Sequence, residues 1–105
     1  MTPLSNTQTI TGTGAQPWTS MKWGSSNSGG GGNRTFQLTQ NGTGAVAGSI
    51  DFSNDGVNVA ATQALSGLSA AGATYGFVQT ANWAWFRYNI TSNTATSVTG
   101  SAFGA

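Results

Sequence analysis

Cysteine, histidine and glutamate are all missing from this chain of 105 residues, and its only acidic side chains are Asp51 and Asp55. Without cysteine there is neither a disulfide frame nor a thiolate metal site. General acid–base catalysis needs groups that titrate near the working pH, and an activated hydroxyl needs a base beside it. Neither is supplied here, so no enzyme is expected. Asp51 and Asp55 have the composition of a glycosidase pair, but their places about a turn fit a strand-end residue and a turn former better. The run "DFSNDG" also echoes a calcium loop, with Asp51, Ser53, Asp55 and Gly56 at its first, third, fifth and sixth positions. Its twelfth position is Thr62, where a bidentate glutamate is required, and no metal or other cofactor is expected.

Charge is equally scarce. Lys22, Arg34 and Arg87 are scattered along the chain, and the net charge is +1. Nucleic-acid binders cluster such residues to neutralise phosphates, so nucleic acid is not an expected partner. No apolar run reaches membrane-spanning length. The opening "MTPLSNTQTI" lacks the basic end and apolar stretch of a secretory signal, which leads to the expectation of a chain made in a cytoplasm, with no membrane partner. Disorder does not follow from the polarity, because disordered chains combine low hydropathy with high net charge, and 10% of these residues are aromatic. A small core is implied, with stability gained from partners or copies of itself.

What is present is glycine, serine, threonine and asparagine, poor helix formers and good turn formers. In "TFQLTQNGTGAVAGSIDF", Phe36 and Leu38 alternate with polar residues, Asn41-Gly42 has the composition of a tight turn, and Val46, Ile50 and Phe52 resume the alternation. This predicts a hairpin. A second turn at Asp55-Gly56 leads into Val57, Val59 and Ala61 at period two, implying three consecutive antiparallel strands. "ATYGFVQT", "WAWFRYNIT" and "TATSVTGSAFG" read as three more, and "TQTITGTG" and "PWTSMKW" as two upstream. "QALSGLSAAGA" fits a short helical turn or a loop. The expectation is one domain over residues 1–105, an all-β antiparallel sandwich or jelly roll of about seven to eight short strands. Gly24 to Gly32 would form a surface loop, since no Lys-Ser or Lys-Thr follows at phosphate-binding spacing.

The densest stretch is "ANWAWFRYNI". Even positions place Phe86, Tyr88 and Ile90 on one face of a strand, and odd positions place Trp83, Trp85 and Arg87 on the other. Because an unpaired buried arginine is costly, the odd face is expected to look outward, with the guanidinium over a tryptophan. Trp83, Trp85 and Arg87, with Trp18 and Trp23, are then candidates for an interface. The competing reading makes both faces internal, the tryptophans capping one end of the sandwich beneath the Gly-rich loop.

The succession "GTGAQPW", a Gly-rich gap, "TFQLTQNGTGAVAGSIDFSNDGVNV" and "ANWAWFRYNITSNTATSVTGSAFGA" resembles small β-sandwich structural proteins of tailed bacteriophages. The resemblance rests on the turn Ser53 to Gly56, the aromatic-Arg strand Trp85 to Arg87 and the turn Asn89 to Thr91, and runs from Thr35 onward. Val59 stands where many such proteins carry an aromatic residue. The resemblance implies a virion protein, foremost a capsid decoration or cement protein, with the major capsid protein or other virion proteins as partners. A tail, neck or fibre component is its alternative. A carbohydrate-binding or adhesin module, stacking sugars on exposed tryptophans, is the alternative of another class.

Overall fold

The computed structural model describes residues 4–21, 34–81 and 83–104. Among them there is no helix, and nine strands form: β1 (Leu4–Ile10), β2 (Gly14–Ala15), β3 (Thr19–Ser20), β4 (Arg34–Asn41), β5 (Val46–Ser53), β6 (Ala61–Ala64), β7 (Thr74–Gln79), β8 (Trp85–Asn93) and β9 (Ser97–Gly104). One sheet has the order β1-β9-β4-β7, and the other β2-β8-β5-β6 with β3 also on β8. All pairs are antiparallel. β2 and β3 lie along the same edge of β8, opposite Asn89–Ile90 and Trp85–Phe86 respectively. Between them stands Pro17, which has no N–H to give a ladder. Counted as one interrupted strand, they leave eight positions, and the chain passes repeatedly between the sheets, as in a jelly roll.

The expected hairpin at Asn41-Gly42 is not one. β4 pairs with β7 and β9, and β5 with β6 and β8, so residues 41–45 cross from one sheet to the other. Gly42 and Gly44 do take positive φ, 84° and 117°, but the corner they make is strapped to the neighbouring β8–β9 corner. Thr96 N donates to Asn41 O at 3.0 Å and Thr94 N to Ala45 O at 3.0 Å. The buried Gln40 fills the bend, its Nε2 donating to the carbonyls of Gly42 and Gly44 at 3.0 and 2.8 Å. Three consecutive antiparallel strands are therefore not formed.

Asp55-Gly56 does join a hydrogen-bonded pair, β5 with β6. The loop is longer than expected, since Val57 and Val59 stand exposed in it and only Ala61 enters the strand. No helical turn forms at 63–73, where Gln63 and Ala64 end β6 and a loop follows. Leu68, from that loop, is buried in the core. The predicted surface loop at 24–32 lies outside the described residues.

Inward residues at period two meet between the sheets. Phe36 and Leu38 of β4, Ile50 and Phe52 of β5, Phe86, Tyr88 and Ile90 of β8, and Val98 of β9 are all buried. Phe36 touches Phe86 edge-on at 5.1 Å between centroids and Phe52 at 5.7 Å, geometry favoured by the ring quadrupole. Tyr88 lies beneath Gly100, where an added Cβ would come within 2.8 Å of its ring. Its phenol is buried without a hydrogen-bond partner among the described residues, and burial pushes its pKa well above the usual value.

Candidate functional site

β8 is central in its sheet, flanked by β5 and the β2/β3 edge. With Phe86, Tyr88 and Ile90 turned to the core, alternation sends Trp85, Arg87 and Asn89 to the outer face, where each is half-buried. Pairing with β5 sets Ser53 opposite Trp85, Asp51 opposite Arg87 and Ser49 opposite Asn89.

Arg87 Nε lies 3.1 Å from Asp51 Oδ2. The other carboxylate oxygen, Oδ1, accepts from Ser49 Oγ at 2.8 Å and from Thr62 Oγ1 at 3.3 Å. Asp51 is therefore satisfied although almost wholly covered, as a buried charge must be. On the far side of Arg87, its Cζ sits 4.4 Å from the ring centroid of Trp18. The guanidinium is thus held between a carboxylate and an indole, yet 22% of the side chain remains exposed. A cation over a tryptophan face contributes about 0.5–2 kcal/mol.

Trp85 lies one pleat further along. Gly56 passes across its indole so closely that an added Cβ would stand 3.3 Å from the ring. The turn carrying Gly56 is fixed by Asp55, whose Oδ1 accepts from the backbone N–H groups of Val57 and Asn58 and from Ser53 Oγ. Oδ2 accepts from Asn58 Nδ2 at 2.9 Å. These bonds, the Asn58 N–H foremost, hold the Asp55 carboxyl far below the usual carboxylate range. Both oxygens of the residue at the fifth position of the calcium-loop echo are thus engaged by their own turn.

Of the five residues singled out from the sequence, Trp18 and Arg87 touch, and Trp85 lies on the same face. Trp23 lies outside the described residues. Trp83 precedes β8, is half-buried like Trp85, and packs against the core cluster. Asp51, read as a strand-end residue, is instead the ion-pair partner of Arg87 within β5. Its signal was present in "SIDFS", where an acid between two apolar residues must take the outer face. Its partner was not visible, because the β5–β8 register spans 36 residues. Arg34 is fully buried, its Nη1 donating to Ala81 O at 3.3 Å.

Among the described residues no group of three His, Cys, Asp or Glu side chains comes together. No family model matches this chain, and no curated protein or solved structure matches it significantly.

Proposed function

We propose that this chain is a non-enzymatic virion structural module, a capsid decoration or cement protein that docks on an assembled phage shell through the outer face of the β5/β8 sheet. The observation that carries this reading is the fixed Trp18–Arg87–Asp51 stack beside Trp85. Tryptophan and arginine are the residue types that dominate interface energetics. Here their conformations are set before binding, which lowers the entropy lost on docking. The jelly-roll order of strands is shared by capsid and lectin domains, a fold-level analogy that adds support without choosing between them. The major capsid protein, neighbouring copies of the chain and other virion proteins are the partners this reading names, and the virion its location.

The test is co-sedimentation of the purified chain with phage particles that lack it. The wild type should pellet with the particle in proportion to its shell subunits, and Trp85→Ala should weaken docking by about 2 kcal/mol or more. Attachment at the tail alone would replace the decoration reading with the tail or neck alternative. Docking should also survive moderate salt, because one partly covered arginine is the only cation on this face among the described residues and apolar contacts are little screened.

A further inference from the structure

The outer face of the other sheet, β1-β9-β4-β7, has a different chemistry. Its register lines Thr9, Thr99, Thr39 and Thr74 in one row across all its strands, with Thr7, Ser101, Gln37 and Gly76 in the next. A third row holds Phe103, Thr35 and Val78. Rows stand about 7 Å apart along the strands, and neighbours within a row about 4.8 Å apart. No charged side chain projects from this face among the described residues. Phe103 and Val78 are the exposed large hydrophobics here, 56% and 51% accessible.

Because Gly76 has no side chain, a notch opens between Thr74 and Val78, continuous with the space beside Gln37, Ser101 and Phe103. The groove measures about 510 Å³, inside the ~300–1,000 Å³ range of small-ligand sites. Thr35 Oγ1 is directed to Phe103 O at 3.4 Å, and the hydroxyls of Thr39 and Thr74 pair at 3.3 Å. Gln37 and Ser101 have no side-chain hydrogen bond among the described residues, so an amide and a hydroxyl face the groove ready to donate and accept.

We infer that this groove binds a neutral saccharide, with one ring lying on Phe103 and the next entering the notch over Gly76. Three features select that chemistry. An exposed aromatic ring beside an aliphatic wall receives the C–H face of a sugar. The adjacent amide and hydroxyls match its hydroxyl groups, which both donate and accept. The lack of charge gives an anionic or cationic ligand nothing to pair with. The face is opposite the one assigned to docking, so a particle-bound chain would present it outward, and the site does not depend on that docking.

Titration of the isotopically labelled full chain with maltotriose, cellotriose, chitotriose and lactose, followed by NMR, tests the inference, with sialyllactose and a heparin tetrasaccharide as anionic probes. At least one neutral probe should shift resonances of β4, β7 and β9 and leave those of Arg87 and Trp18 in place. Phe103→Ala should weaken that binding about tenfold or more. Gly76→Val should abolish it by filling the notch, while folding normally, since an added Cβ meets nothing closer than Phe36 O at 3.9 Å. Both variants should still dock on the particle. Silence from every neutral probe, tighter binding of the anionic ones, or unchanged affinity in both variants would overturn the saccharide site. So would loss of particle docking in both variants with no sugar bound, which would make this face a protein interface.

Discussion

On the outer face of the β5/β8 sheet, Asp51 is tied to Ser49, Thr62 and Arg87, and Arg87 is stacked on Trp18. On the outer face of the β4/β9 sheet, Gln37 and Ser101 have no side-chain hydrogen bond among the described residues, and Phe103 stands more than half exposed. Both faces come from strands of the same alternating kind, and both border a packed core. The difference is where polar capacity is spent. Where an ion pair, hydroxyls and an indole engage one another, as around Asp51 and Arg87, the face offers mainly shape and apolar area to a partner. A face with idle donors and acceptors offers hydrogen bonds to something that brings its own.

The sharpest way to break this contrast is to unbalance the satisfied face. Arg87→Ala leaves Asp51 covered and uncompensated, and urea unfolding should show a loss of about 3 kcal/mol. Gln37→Ala, on the other face, should stay within about 0.5 kcal/mol of wild type. Replacing the pair together, Asp51→Leu with Arg87→Met, should recover most of the loss, because a desolvated ion pair gains little over apolar residues of similar volume. Equal losses for Arg87→Ala and Gln37→Ala would erase the distinction between the faces.

Next in size is Trp85→Ala. The indole is half-buried beneath Gly56, and losing roughly half of a large aromatic contact area should cost about 2 kcal/mol of stability in addition to the docking defect. A smaller, pH-dependent effect belongs to Asp55. Its folded pKa is depressed, so its contribution is complete above the unfolded carboxyl value of about 3.9 and is lost as pH falls from there toward the folded value. Thermal melts should show the wild type losing stability below about pH 4, more steeply than Asp55→Asn. The smallest effect is Gly76→Val, expected to raise stability by about 0.5 kcal/mol, since glycine weakens a strand interior.

Alternation alone located most of the strands and turned Phe86, Tyr88 and Ile90 inward, because facing is decided within a strand. Partnership is decided between strands. Phe36, Leu38, Ile50 and Phe52 would alternate identically in a hairpin and in a corner crossing the sandwich, and so Asn41-Gly42 was misread. The Arg87–Trp18 stack was foreseen in kind, because an exposed arginine near tryptophans has few better options. The groove over Gly76 was not foreseen, although a glycine between Thr74 and Val78 in "TYGFV" marks a missing side chain on a face that only the register could define.

The strand order also bears on how the chain reaches this structure. β8 and β9, the last two of the described strands, occupy interior positions in the two sheets, and among the described residues β1 pairs only with β9, with Leu4 opposite Gly104. During synthesis β4 and β5 emerge with one flank of each unpaired, and neither sheet closes until residues 85–104 slide between strands made earlier. Folding is therefore postponed to the completion of this stretch and dominated by distant pairings, on the order of milliseconds to seconds. In that interval the open flanks of β4 and β5 invite strands from other nascent chains, so a high local concentration of unfinished copies is where this protein is most exposed to misassembly.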